Sequence, residues 1–383
     1  MALHFERKEY ASRIRKTIAA MGKEGLDGML LFQQESMYYL TGYDTFGFCF
    51  FQCLYLGADG TLALLTRSPD LRQAQKTSII EDIRVWTDQA GARPADQLKD
   101  MLRSLGAKGK RLGFESNSYG LTHANGVALT SALKGFCKLI DASDLVNEIR
   151  LIKSPAELDY VRKAGKLGDA ALKAAVEETR AGADEAKILA ALQGAIFAGG
   201  GDYPANEFII GSADEALCVR YKSGRRKLGR NDQLMIEYAG VYRHYHAAFM
   251  RTLVIGKASA RHRAMYKACR EALFAAEEVL RPGHTAGEQF DAHARVMDAH
   301  GMKAHRLNAS GYGLGAKFTP SWMDYPMLHH GNAVEIRPNM VFFSNMVLLD
   351  SDTETAMALG RTYITTEGAP ESVSRISVNL IER

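Results

Sequence analysis

No CxxC pair occurs among the five cysteines, Cys49, Cys53, Cys137, Cys218 and Cys269, which are scattered and odd in number. A disulfide framework and a structural zinc both need paired ligands. Both are therefore excluded, and reduced thiols in the cytoplasm are expected. No stretch reaches the roughly 20 apolar residues of a membrane helix. The charged start MALHFERKEYASRIRK reads as an amphipathic helix, not a signal peptide. Charge of one sign never runs for five or six residues, and the formal net charge is only +4. The short basic cluster Arg225, Arg226, Lys227 reads as a solvated turn. Neither nucleic acid nor a membrane is an expected partner. Low-complexity segments and internal repeats are also missing.

What is present is ordinary globular composition, 46% hydrophobic and 24% charged, in a chain of 383 residues. One compact core rarely grows that large, so two domains are expected. The most informative stretch is 234–252, LMIEYAGVYRHYHAAFMRT. It reads as two strands joined through Gly240 and a Tyr/His-rich turn. Its apolar residues are interrupted by Glu237, His244, His246 and Arg251. Strands seldom carry so many ionisable groups toward a core unless a site is built there. Glu237 lies mid-strand among Met, Ile, Tyr and Ala, where burial raises a carboxyl pKa and makes it a usable acid or base. The plainer alternative is a buried carboxylate pairing Arg251. His244 and His246 are two apart and are expected on the same side of a strand; the plainer alternative is a packed histidine bonded to backbone.

Around this stretch the first 140 residues alternate strands and helices, an α/β layer pattern. Residues 25–32 read as a buried strand, 46–56 and 61–66 as a hairpin, and 111–114 as a further strand. A boundary falls near 148–154. Ser154-Pro155-Ala156-Glu157 is a helix start: Ser caps, Pro suits the first position, and Glu reaches back. Helices follow over 184–197 and 259–280. Thr285-Ala286-Gly287-Glu288 is a second capping box. The last hundred residues are strand-and-turn material.

The order of these elements resembles the creatinase/aminopeptidase family, whose fold is the pita bread, along essentially the whole length. The markers are IRLIKSPAELDYVRKAG (149–165), NDQLMIEYAGVYRHYHAAFMRT (231–252), RPGHTAGEQFDA (281–292), GYGLG (311–315), PNMVFFSN (338–345) and ITTEG (364–368). The resemblance implies an α+β chain, with an N-terminal α/β creatinase-type domain (1–150), a C-terminal pita-bread catalytic domain (151–383), and a homodimer. Peptidases of this family hold two divalent metals with two Asp, one His and two Glu. The matching positions here are Glu237, Ala248, Tyr312, Asn345 and Leu359. One anionic ligand does not hold two dications. No metal and no other cofactor is expected.

The same loss marks a metal-free branch of the family, to which creatinase and ectoine hydrolase belong, whose members open C–N bonds of small guanidines and amidines. GGDYPA (200–205), IEYAGVYRHYH (236–246) and GYGLG followed by PSWMD (320–324) are similar to the ectoine-hydrolase pattern. The resemblance therefore implies a metal-independent hydrolase of a small amidine- or guanidine-type substrate. Glu237 engages the cationic nitrogens, His246 moves the proton, and Tyr312 polarises the electrophilic carbon. The expected substrate contacts are Tyr203, Arg220, Tyr242, His244, Arg251, Trp322 and Asp324, with an arginine clamping a carboxylate. Alternatives are a creatinase-type amidinohydrolase, a divergent Xaa-Pro peptidase, and a catalytically silent binding protein on the same scaffold.

Overall fold

The structure, a computed structural model, describes residues 3–220 and 225–383. The stretch 221–224, part of the loop that precedes the Glu237 strand, lies outside the described residues. The chain divides into two compact units, Met1–Arg150 and Leu151–Arg383. All five cysteines are free thiols. No described helix is long and apolar enough to cross a membrane.

The first unit is a six-stranded mixed sheet with helices α1 (Arg7–Lys23), α2 (Gln34–Thr41), α3 (Leu71–Thr77), α4 (Pro94–Ser104), α5 (His123–Leu133) and α6 (Leu145–Leu151). Its strands are β1 (Gly28–Leu31), β2 (Cys53–Gly57), β3 (Leu62–Arg67), β4 (Asp82–Trp86), β5 (Arg111–Phe114) and β6 (Lys138–Asp141), in the order β4-β3-β2-β1-β5-β6. The expected hairpin is there, with Leu54 opposite Leu64, but its first strand is shorter than the apolar run that signals it. Residues 47–49 form a single 3₁₀ turn instead. Two apolar clusters, one on Leu30, Leu98 and Leu129 and one on Met29, Leu40 and Leu64, fill the two faces. The alternation Met29/Leu30 feeds both, as expected of a strand buried on each side.

The second unit is built on an antiparallel sheet. Its main strands are β7 (Ile209–Ser212), β8 (Asp232–Tyr242), β9 (Tyr245–Ile255), β10 (Gly311–Gly313), β11 (Asp324–Met327), β12 (Val341–Asp350) and β13 (Thr355–Ile364), in the order β11-β10-β12-β13-β9-β8-β7; two short strands, β14 (Glu371–Ser372) and β15 (Ile381–Glu382), pair with β13 and, in parallel, with β9. Four helices accompany it: α7 (Pro155–Glu178), α8 (Glu185–Ala198), α9 (Ala260–Glu278) and α10 (Ala286–Ala299). Both capping boxes form: Ser154 with Glu157 starts α7, and Thr285 with Glu288 starts α10. One sheet face packs on helices. Met265, Cys269 and Leu273 of α9 meet Phe342, Met346 and Leu348 of β12 and Met357, Leu359 and Tyr363 of β13.

The turn between β8 and β9 is not at Gly240. That glycine lies mid-strand, where a Cβ would overlap the Ala164 carbonyl of α7, so its role is close strand-to-helix approach. The loop is the two residues Arg243 and His244, at φ 52° and 64°. Positive φ at both central residues is the twist-matched two-residue hairpin. That loop fixes the register: Glu237 faces Met250, Ile236 faces Arg251, and Tyr242 faces Tyr245. Because side chains alternate, the register places Glu237 and Arg251 on opposite faces of the sheet.

Candidate active site

The face away from the helices carries a compact cavity of about 120 Å³. Glu237 and Met250 come from the two central strands, Tyr312 from β10, and Asn345 and Val347 from β12. Met323 and Met327 close another side, and Arg220 stands at its edge and is itself exposed. This is a small chamber beside the roughly 300–1,000 Å³ of a drug-sized site. It holds one carboxyl group in largely apolar walls.

Glu237 is 8% exposed, and burial pushes its pKa up from 4.5 to about 7, against the pull of the Tyr312 hydrogen bond and the Arg220 charge. Tyr312 Oη donates to Glu237 Oε1 at 3.2 Å. Burial, followed by the neighbouring carboxylate, drives the tyrosine pKa well above its ordinary value, so the phenol keeps its proton. Trp322 Nε1 donates to the same Tyr312 oxygen at 2.8 Å. Trp322 is 1% exposed and does not line the chamber; it stands behind Tyr312. Its expected place as a substrate contact is thereby corrected.

His246 is fully buried, and its Nε2 accepts the Ala205 backbone N–H at 3.0 Å. That bond puts the ring proton on Nδ1, which has no hydrogen-bond partner among the described residues. Burial, then the nearby His244, lowers its pKa to about 3, so the ring is neutral. It does not line the chamber. The expected proton carrier is thus a brace for the 201–206 segment. His244 sits at the hairpin tip, not beside His246 on a strand, and stacks on Phe318 at 4.2 Å between ring centroids.

Other expected contacts also fall elsewhere. Tyr242 packs with Tyr160 of α7, ring centroids 5.4 Å apart, with Lys163 Nζ 4.9 Å from its centre. Arg251 is buried on the helix face and donates through Nη1 to the Met250 and Gly360 carbonyls at 2.8 and 2.5 Å. It neither pairs Glu237 nor reaches the chamber, because the register turns it away. Tyr203 is 81% exposed and lies edge-on to Phe197. Asp324 turns to Lys317, 3.9 Å away. Of the ten expected site residues, Glu237, Tyr312 and Arg220 line the chamber. The thioethers of Met250, Met323 and Met327 escaped the sequence reading. Asn345, known only as a lost ligand position, contributes an amide edge with no side-chain hydrogen bond among the described residues. Its alternation with Phe343 and Val347 in VFFSNMV was the available signal.

Two close cations do not suit these residues. Ala248 carries no donor. Leu359 pairs with Arg251 in the register and joins the helix-side core, so Gly360, opposite Met250 and Asn345, holds the site-facing position. A Cβ there would meet the Phe343 ring, which fills the space a ligand side chain needs. Among the described residues no three of His, Cys, Asp or Glu gather as a metal site.

Comparison with known proteins bears on the same regions. The model of metallopeptidase family M24 matches residues 159–367, and the creatinase/prolidase N-terminal domain matches residues 13–152. An ectoine hydrolase of Halomonas elongata is 27% identical over 361 residues, covering 89% of this chain and 90% of its own. A Xaa-Pro dipeptidase of Pyrococcus horikoshii is 24% identical over 86% of this chain and 89% of its own. A prolidase structure from Thermococcus sibiricus superposes with a TM-score of 0.88 at 19% identity, over 98% and 99% of the two chains.

Proposed function

Since the chain belongs to metallopeptidase family M24, with a creatinase/prolidase domain before a pita-bread domain, we propose that it is a metal-independent hydrolase. It opens a C–N bond of a small amidine- or guanidine-bearing acid, ectoine-like in size and charge. The observation that carries this is the chamber's single carboxyl, Glu237, in walls whose other polar groups are the Tyr312 hydroxyl, the Asn345 amide and the Arg220 guanidinium at the edge. A buried carboxylate binds an amidinium by charge-assisted hydrogen bonds, and an amidinium needs no Lewis acid to be electrophilic.

Among the described residues Glu237 Oε2 has no hydrogen-bond partner, and it is the oxygen left for substrate. Water adds to the amidine carbon while Glu237 takes the water's proton. The tetrahedral carbon then expels the nitrogen, which receives that proton from Glu237. Atoms and charge balance with water as the only co-reactant. A carboxyl near pH 7 suits both steps. Arg220 at the edge fits a substrate carboxylate. The identity to an ectoine hydrolase supports this class; the similar identity to a Xaa-Pro dipeptidase supports peptide hydrolysis instead.

The deciding experiment incubates purified protein with ectoine, creatine, guanidino acids and Xaa-Pro dipeptides, with and without chelator, read by mass spectrometry. Chelator-resistant opening of an amidine or guanidine is the expected result. Dipeptide cleavage that is lost on chelation and restored by a divalent metal overturns the proposal. Ligand-induced thermal stabilisation without any product makes the protein a silent binder and overturns it equally.

A further inference from the structure

Three buried groups stand in series from the chamber wall inward, Glu237, Tyr312 and Trp322, and their donor inventory leaves little freedom. An indole N–H donates and never accepts. Trp322 Nε1 lies 2.8 Å from Tyr312 Oη, so the phenolic oxygen must accept there. Tyr312 has one proton of its own, and Glu237 Oε1 lies 3.2 Å away. We propose that Trp322 is a positioning residue of this site: its N–H fills the acceptor side of the Tyr312 hydroxyl, which holds the phenolic proton on Glu237 Oε1 and leaves Oε2 as the atom that exchanges a proton with substrate. The use of this arrangement rests on the hydrolase reading, whereas the arrangement itself does not.

The indole is held from several directions. Its backbone N–H donates to Asn206 Oδ1 at 3.1 Å. The neighbouring Ala205 is tied to the neutral ring of His246, whose centroid is 6.2 Å from that of Trp322. Phe208 packs on another side at 6.4 Å. Phe343 lies against Tyr312 at 5.5 Å and limits the phenol's swing. Among the described residues, Arg220 is a charged side chain that acts on both Glu237 and Tyr312. A hydroxyl that accepts one hydrogen bond donates the next more strongly, so the series is polarised toward the carboxylate. Without the indole, Tyr312 is free to turn and accept a hydrogen bond from protonated Glu237, and the carboxyl then loses its fixed donor.

The chain has two tryptophans, and Trp86 donates to the Phe51 carbonyl in the other unit, so indole ¹⁵N spectra show one signal to follow and one internal control. Assignment comes from Trp322→Phe, or from Trp86→Phe should the former not fold. Glu237→Gln is expected to move the Trp322 signal and leave Trp86 in place. In a Tyr312→Phe background the same substitution is expected to leave both in place. A Trp322 signal indifferent to Glu237, or equally responsive without the Tyr312 hydroxyl, overturns the inference. With a substrate in hand, Trp322→Phe is expected to lower kcat about fivefold, the worth of one hydrogen bond, with KM unchanged. Added to Tyr312→Phe it should cost nothing more; a separate loss overturns the inference. If no compound is turned over, the hydrolase reading falls alone, and the indole spectra still decide the orientation.

Discussion

Glu115 in the first unit and Glu237 in the second are both buried, and burial carries both carboxyls from 4.5 up to about 7. Their surroundings differ. Glu115 accepts from the Phe32 and Gln33 N–H groups on Oε2 at 2.7 and 2.6 Å and from Ser36 Oγ on Oε1 at 2.5 Å. It closes the N-terminus of α2, whose own capping residue Gln33 offers no side-chain bond. A negative charge there also meets the helix dipole. Glu237 has one donor and an open chamber. A buried acid is therefore not itself a sign of chemistry. Unspent acceptor capacity facing a cavity separates the working carboxyl from the structural one.

Exchange of each acid for its amide breaks the comparison most sharply. Glu237→Gln is expected to cut turnover by roughly 10²–10⁴-fold, the worth of a positioned acid–base group, with the fold retained. Glu115→Gln is expected to do the reverse. It presents an NH₂ to donors that need an acceptor, costs about 2–3 kcal/mol in urea denaturation, and leaves kcat per folded molecule unchanged. Retained turnover in the first variant removes Glu237 from the mechanism. Loss of turnover in the second, at full folding, removes the contrast.

A smaller effect, which the two carboxyls share, is read by pH. A carboxyl whose folded pKa is raised favours the protonated folded state. Its contribution is full below about pH 4.5 and lost as pH rises through about 7. For Glu237 the loss is on the order of 3 kcal/mol at most. The Glu237→Gln protein should therefore gain stability over the native one between pH 5 and pH 8. A constant gap across that range means that Glu237 is ionised throughout.

Much of the fold was legible because its signals are local. Ser154/Glu157 and Thr285/Glu288 are read within four residues, and the α9 stripe within one helix. The pairing of Glu237 with Tyr312 was legible only through family resemblance, since 75 residues separate them. Tyr242 and Arg251 failed for a register reason. Five residues from Glu237 on one strand is the opposite face, and this parity was available from sequence. Arg251 needed the turn, and Gly240 offered a false one. With the loop at Arg243 and His244, Met250 opposes Glu237 and Arg251 cannot. The methionine wall was illegible because Met250 of β9 and the pair Met323 and Met327 at β11 come from two distant segments whose meeting is decided by sheet order.

The smallest expected effect is at Tyr203. The tyrosine is an expected substrate contact, yet the ring is exposed and touches Phe197, itself 40% exposed. The segment is fixed by its backbone instead: Asp202 N–H donates to the Val241 carbonyl, Asp202 Oδ2 accepts from Arg243 N–H, and Ala205 N–H donates to His246. Tyr203→Ser should therefore change kcat/KM by less than about twofold and stability by less than about 0.5 kcal/mol, whereas His246→Leu should disturb both through loss of the Ala205 acceptor. A tenfold fall in kcat/KM at normal stability in the Tyr203 variant would mean that this exposed aromatic pair meets the substrate or a second copy of the chain. The chamber would then be only part of the site, and the homodimer implied by family resemblance would have to be tested at this surface by sedimentation of the same variant.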